Sequence, residues 1–244
     1  MKTRPALLVA TTALLMAAGP SAPPAGAATG CAADAMLVFD GSASMEEIGF
    51  DVRKATRIVA AREAMHRAMP QIAPYRRVGL LVYGPGGADS CSGIDLRFTP
   101  TEDAAEAVIA EVDQLAPNGL TPLAASVRSA AEVLDYRSTP GIVVLVTDGN
   151  ETCGGRPCAL GEELAQTSYD LTVHVIGFQV VYDPFSWNSP EARNYDGKTV
   201  AKCLADRTGG MFVSTETVDE LAAALRQTLG CALIGRGPSG RTKA

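Results

Sequence analysis

The chain has 244 residues, of which 47% are hydrophobic and 20% are charged. This composition supplies enough apolar side chains for the core of one domain, and it excludes a disordered chain. The formal net charge is −6, and it becomes −8 without the two basic residues in the first 27 positions, which argues against a general binder of nucleic acid or of anionic membranes. Only His66 and His174 are histidines, too few for a typical zinc site or for a mechanism that needs several imidazoles.

The first 27 residues are expected to be a cleaved secretory signal. Lys2 and Arg4 precede an apolar run that ends at Ala18, and Ala25-Gly26-Ala27 provides the small residues of a cleavage site. No apolar run reaches the roughly 20 residues needed to span a membrane. Cleavage before Cys31 with lipidation of that cysteine is the alternative. The product is expected to be exported, to the periplasm or the medium.

Apolar runs rich in branched residues alternate with helical patterns along the rest of the chain. Strands are predicted at Ala35–Asp40, Val78–Tyr83, Ile94–Phe98, Ile142–Thr147, Leu171–Phe178 and Met211–Ser214. Helices are predicted at Arg57–Met69, from the capping sequence Thr99–Glu102 to Leu115, at Pro122–Leu134, Leu160–Thr167 and Thr199–Asp206, and from the capping box Thr217–Glu220 to Leu229. The pattern places a domain at 35–230, after a short segment at 28–34 and before a tail at 231–244.

This alternation predicts an α/β fold with a doubly wound, mostly parallel six-stranded sheet and helices on both faces. The third strand differs, because Ile94-Asp95-Leu96-Arg97-Phe98 alternates apolar and polar residues and follows its predecessor with no room for a helical crossover. We therefore expect one antiparallel strand, at an edge of the sheet.

Ligands of such sheets bind beyond the carboxyl ends of the strands, near the point where the strand order reverses. Asp40, Ser42 and Ser44 follow the first strand, Asp148 follows the fourth, and Thr121 precedes a helix. Two carboxylates and three hydroxyls on turns are the all-oxygen ligands that a hard divalent cation prefers. The sequence predicts one such cation, Mg²⁺ first, with Mn²⁺ or Ca²⁺ as alternatives.

These motifs resemble those of the von Willebrand factor type A domain family. Asp40-Gly41-Ser42-Ala43-Ser44 matches its DxSxS motif, Thr121 its single loop threonine, and Asp148 the aspartate of its TDG motif. The resemblance implies a metal-ion-dependent adhesion site in which Ser42 and Ser44 ligate directly, Thr121 does so in one conformational state, and the aspartates act largely through water. It also implies a non-catalytic module that binds an Asp or Glu of a protein partner through the metal.

Six cysteines in an exported chain predict disulfides. Because the last helix should end near the start of the first strand, Cys31 is predicted to pair with Cys231. Cys153–Cys158 is the second choice, which leaves Cys91–Cys203. The run Glu151 to Cys158 is similar to a loop of bacterial exported family members, with Arg156 at a position usually held by aspartate.

The connection after the fifth strand holds four of the 13 aromatic residues of the chain: Tyr182, Phe185, Trp187 and Tyr195. Either they pack together to hold a long loop, or they contact a partner at the rim of the metal site, with Trp187 as anchor and Arg156 steering an acidic partner. Two other classes stay open, a structural envelope protein with an empty site and a metal-assisted hydrolase. A hydrolase is disfavoured since no base or second metal can be named.

Overall fold

A computed structural model describes residues 31–48, 55–87, 89–180 and 200–231. Its strands are β1 Asp34–Asp40, β2 Val78–Tyr83, β3 Ile94–Thr101, β4 Pro140–Thr147, β5 Asp170–Phe178 and β6 Phe212–Thr215. Its α-helices are α1 Arg57–Ile72, α2 Ala105–Gln114, α3 Leu123–Val133, α4 Pro157–Thr167, α5 Lys202–Thr208 and α6 Val218–Leu229, and a short 3-10 turn covers Ala43–Glu46.

The six strands form one sheet in the order β3-β2-β1-β4-β5-β6. All neighbours pair in parallel except β2 and β3, which pair antiparallel at the edge. The strand order reverses between β1 and β4. The predicted doubly wound α/β fold with one antiparallel edge strand is confirmed.

Side chains of the central strands alternate between two apolar layers. Leu37 and Phe39 of β1 point to the layer that α1, α2 and α6 cover, whereas Met36 and Val38 point to the layer under α3, α4 and α5. All four are fully buried. Burial on both faces explains why these strands are continuously apolar in sequence.

The main error in the predicted elements lies after β3. Thr99, Pro100 and Thr101 were expected to cap a helix, but they continue β3, and Thr101 pairs with Val78. Helix α2 begins later, at Ala105, with no side-chain cap. The second predicted capping box is confirmed, because the Thr217 side chain accepts from the Glu220 N–H while the Glu220 side chain accepts from the Thr217 N–H.

The described residues contain three disulfides. Cys31 pairs with Cys231, as the topology predicts. The predicted pairs Cys153–Cys158 and Cys91–Cys203 are wrong, since Cys91 pairs with Cys153 and Cys158 with Cys203. Cys158 lies in the first turn of α4, from which its side chain reaches α5, where Cys203 sits, rather than back along its own loop.

Several predictions fall outside the described residues. These are the signal at 1–27, part of the segment at 28–34, the tail beyond 231, and the aromatic residues Tyr182, Phe185, Trp187 and Tyr195. Within the ranges that are described, no helix has the length and apolar character needed to cross a membrane.

Candidate metal centre

Four of the five predicted site residues, Asp40, Ser42, Ser44 and Asp148, meet at the carboxyl edge of the sheet, at the ends of its two central strands. Asp40 is the last residue of β1 and Asp148 follows the last residue of β4. These strands are hydrogen-bonded neighbours, with Phe39 opposite Val146, so their loops leave the sheet side by side. Both aspartates are buried.

The loop after β1 is shaped by the Asp40 side chain. Asp40 Oδ1 accepts hydrogen bonds from the backbone N–H of Ser42 at 2.8 Å and from its hydroxyl at 2.6 Å. An aspartate that bonds two residues ahead is a common turn device, and here it starts the 3-10 turn at Ala43. The turn brings Ser44 back beside Ser42, with 3.1 Å between the two hydroxyl oxygens.

The two serines connect the two carboxylates. Ser42 donates its hydroxyl proton to Asp40, and Ser44 donates its own to Asp148 Oδ1 at 2.8 Å. Each hydroxyl has one proton, and in this arrangement both protons point to the aspartates. The two serine oxygens, 3.1 Å apart, therefore keep lone pairs that could bind a cation.

Asp148 is the least satisfied member of this group. Its Oδ2 is buried and makes no hydrogen bond. Burial, and then the negative charge of Asp40, raise the pKa of Asp148 to about 8, although Ser44 and Arg57 act against this shift. A buried carboxylate oxygen that accepts no hydrogen bond is a position that a cation would stabilise.

Arg57, to which the sequence analysis gave no role, is part of this site. Its Nη1 lies 3.3 Å from Asp148 Oδ2, and it donates to the Ser44 carbonyl at 2.8 Å and to Glu47 at 3.2 Å. The Arg57 side chain is only 3% exposed. An arginine in the first turn of an otherwise apolar helix face was the one available signal, and nothing in the sequence pointed it toward Asp148.

Two further residues hold Asp40 from behind. The Thr147 hydroxyl donates to Asp40 Oδ2 at 2.8 Å and accepts from the Tyr83 hydroxyl at 3.0 Å. Burial, with the charge of Asp40 adding to it, raises the pKa of Tyr83 well above its ordinary value, so this hydroxyl stays a donor. Both carboxylate oxygens of Asp40 thus accept hydrogen bonds, whereas Asp148 Oδ2 accepts none.

Thr121 lies on a loop that is bonded to the Ser42 loop. The Ala43 N–H donates to the Gly119 carbonyl at 3.2 Å, and the Asn118 N–H donates to the Gly41 carbonyl at 2.8 Å. Gly119 has a φ of 76°, and a Cβ there would lie 2.1 Å from the Gly84 carbonyl oxygen, so only glycine allows this approach. Thr121, two residues after Gly119, is buried.

Glu151 is a second residue without a predicted role. Its buried carboxylate accepts from the Ala124 N–H at 2.9 Å, in the first turn of α3, and from the Cys153 N–H at 2.8 Å. A carboxylate at a helix N-terminus stabilises the helix through its free N–H groups and its dipole. Glu151 therefore joins the loop after β4 to the helix that follows Thr121.

The ligands available to a cation are oxygens. No cluster of three or more His, Cys, Asp and Glu side chains suited to a metal occurs within 31–48, 55–87, 89–180 and 200–231. A cation here would depend on two carboxylates combined with hydroxyls, a set that fits Mg²⁺, which keeps several waters, better than zinc. Arg156, the predicted steering residue, is the N-cap residue of α4 on the loop that follows Glu151.

The fold and this oxygen cluster define a doubly wound α/β domain with a candidate site where its strand order reverses. A family model for the von Willebrand factor type A domain matches residues 35–151 of this chain. The chain is similar to the uncharacterized protein YwmD of Bacillus subtilis (strain 168), with 28% identity over 199 residues that cover 77% of this chain and 81% of the relative.

Solved structures share the fold at low identity. A von Willebrand factor type A protein from Catenulispora acidiphila superposes with a TM-score of 0.59 at 17% identity, over 81% of this chain and 42% of the other. The pilus adhesin SpaC of Lactobacillus rhamnosus GG gives 0.60 at 15% identity, over 81% of this chain and 30% of the adhesin. These likenesses establish a common architecture.

Proposed function

We propose that this chain is an exported, non-catalytic protein-binding module that captures a partner through one divalent cation. Asp40, Ser42, Ser44, Thr121 and Asp148 would hold the cation as a metal-ion-dependent adhesion site, with Mg²⁺ preferred and Mn²⁺ or Ca²⁺ as alternatives. When bound, the cation supplies a positive centre with an open position for an anionic oxygen. The partner would present the carboxylate of an Asp or Glu.

One observation carries the proposal. Ser42 and Ser44 donate their hydroxyl protons outward to Asp40 and Asp148, which leaves the lone pairs of both oxygens free, while Asp148 Oδ2 has no hydrogen bond. Buried polar atoms normally find partners, and a hard cation would satisfy these oxygens together.

Charge balance supports the same function. The buried charged groups of the cluster are Asp40, Asp148 and Arg57, whereas Glu47, which also contacts Arg57, is largely exposed to solvent. With both aspartates ionised, this buried set has a formal charge of −1, and a divalent cation would make it positive. A net positive site at the end of a sheet attracts an anion from a partner.

Export is supported by the predicted signal and by the three disulfides, which persist in oxidising compartments.

Calorimetric titration of Mg²⁺ and Mn²⁺ into the wild type and into Asp40→Ala tests the metal. We expect binding to the wild type and a large loss in the variant, because the change removes a charge and frees Ser42 and Thr147. Ser126→Ala is the matched control, since this buried hydroxyl of α3 donates to the Pro122 carbonyl, just ahead of the same helix. Equal binding to wild type and Asp40→Ala would refute the assignment.

The open position can be tested with Mn²⁺ and a small carboxylate probe. The peptide Gly-Asp-Gly, with blocked ends, should lower the water-proton relaxation enhancement of protein-bound Mn²⁺ by displacing a coordinated water. Blocked Gly-Asn-Gly should not. If both peptides leave the relaxation unchanged at millimolar concentration while Mn²⁺ stays bound, capture through a carboxylate is wrong even though the metal site stands.

A further inference from the structure

The segment 118–121, which carries Thr121, passes between two other loops. On one side the Leu120 N–H donates to the Ser90 carbonyl at 2.8 Å. On the other side the Thr121 N–H donates to the Thr152 hydroxyl at 2.8 Å, and the Thr152 N–H donates to the Thr121 carbonyl at 3.1 Å. The segment is therefore held by its backbone from both sides.

The two flanking loops are covalently joined. Ser90 and Thr152 each precede a cysteine, and these cysteines form the Cys91–Cys153 disulfide, with 5.6 Å between their Cα atoms. The disulfide links residues 62 positions apart, so no local contact could replace it. Together, 90–91 and 152–153 form a closed clasp around the segment.

The two halves of the clasp differ in how firmly they are anchored. The loop that holds Cys91 is tied mainly to itself, through Asp89 and Ser92, and its residues are largely exposed. The half at Cys153 is tied to α3 through Glu151. Through the disulfide, the loop that holds Cys91 is also anchored to α3.

We propose that the Cys91–Cys153 disulfide is a positioning device for Thr121, which holds the segment 118–121 against the Ser42 loop and so pre-organises the third hydroxyl of the site. The expected effect on metal affinity rests on the proposed function. The expected effect on the position of segment 118–121 does not. A ligand placed in advance costs less to order when the cation binds.

The test compares Cys91→Ser/Cys153→Ser with the matched control Cys158→Ser/Cys203→Ser, which removes the disulfide between α4 and α5. In the first variant we expect the amide hydrogens of Leu120 and Thr121 to exchange on the order of tenfold faster, through local opening. We expect its Kd for Mn²⁺ to rise by about fivefold or more. The control should keep both quantities close to wild type.

Unchanged exchange at Leu120 and Thr121 in a folded Cys91→Ser/Cys153→Ser variant would overturn the inference, and so would equal effects in both variants. If the wild type fails to bind Mn²⁺, the proposed function falls while the exchange measurement still decides on the clasp. Should the double variant not fold, Thr152→Val keeps the disulfide but removes the acceptor of the Thr121 N–H. Faster exchange at Leu120, whose own acceptor on Ser90 is left in place, together with weaker Mn²⁺ binding in Thr152→Val would support the clasp, and wild-type values for both would overturn it.

Discussion

Arg57 Nη1 lies 3.3 Å from Asp148 Oδ2, and both side chains are almost wholly buried. The same guanidinium nitrogen donates to the Ser44 carbonyl, so Arg57 connects the start of α1 to both halves of the candidate site. One arginine thus faces a pair of aspartates, Asp40 and Asp148, that share a network of two serines. The balance of these charges must change with pH.

Arg57→Met should lower the stability of the metal-free protein more at pH 9 than at pH 6. At pH 6 Asp148 is largely protonated, because its pKa is about 8, and it depends little on Arg57. At pH 9 it is ionised and loses its compensating charge in the variant. Chemical denaturation at both pH values measures this. Arg62→Met is the control, because Arg62 donates to the carbonyls of Val112 and Leu115, which do not titrate, and its effect should not depend on pH.

Asp148→Asn should flatten the pH dependence of stability in chelator. The pKa of Asp148 is raised from 3.8 to about 8 on folding, so its neutral form favours the fold. This contribution is complete below about pH 4 and is lost as the pH rises through about 8. We expect the wild type to lose stability across this window and the variant to lose less. The exposed Asp219→Asn is the control, and a variant that retains the wild-type slope would contradict the prediction.

His174→Gln should reduce the acid sensitivity of the fold. The His174 Nδ1 accepts from the Met211 N–H at 3.0 Å, which requires a neutral ring, and burial followed by the charge of Arg76 lowers its pKa below 6.5. The unfolded state then binds the proton more tightly, so the wild type loses stability as the pH falls below about 6.5. Thermal melts at pH 7.5 and 5.5 should show a smaller difference for His174→Gln than for His66→Gln, whose ring is exposed.

Arg76→Met should destabilise the domain by about 2 to 3 kcal/mol, since it leaves buried carbonyls without a charged donor. Arg76 donates to the carbonyls of Leu229, Ala33 and Gly230, and so joins the end of α6 to the start of β1. Its neighbour gives a matched control. Arg77 is half-exposed and pairs with Asp34, so Arg77→Met should cost about 1 kcal/mol or less. Equal losses in urea unfolding would contradict this ranking.

The architecture could be predicted because burial on both faces makes the central strands continuously apolar, as in β4. The prediction of a helix cap at Thr99–Glu102 was wrong for a physical reason. A capping sequence is a local preference, whereas pairing of Thr101 with Val78 extends the sheet, and the long-range contact prevails. The pairings predicted for Cys91, Cys153, Cys158 and Cys203 were wrong, because strand order determines neither the paths of the loops that hold Cys91 and Cys153 nor the packing of α4 against α5 that brings Cys158 to Cys203.

The position of the oxygen cluster was equally accessible, since Asp40 and Asp148 end on neighbouring strands. Arg57, Thr147, Tyr83 and Glu151 were missed as a group, because each acts through a partner that is distant in sequence. Thr147, for example, donates to Asp40 from β4, and Tyr83 donates to Thr147 from β2. Periodicity identifies which face of an element is buried but not which polar group a side chain meets there.

The Cys31–Cys231 bridge has a mechanical consequence. Its Cα atoms are 5.5 Å apart although 200 positions separate them. Cys31 precedes the start of β1, the end of that strand opposite to Asp40, and Cys231 follows the end of α6. Tension applied between the chain before residue 31 and the chain after residue 231 would run through this covalent bond and bypass the hydrogen bonds between strands. The domain and its loops would therefore keep their structure under a force that would separate the strands of the same sheet if the disulfide were absent.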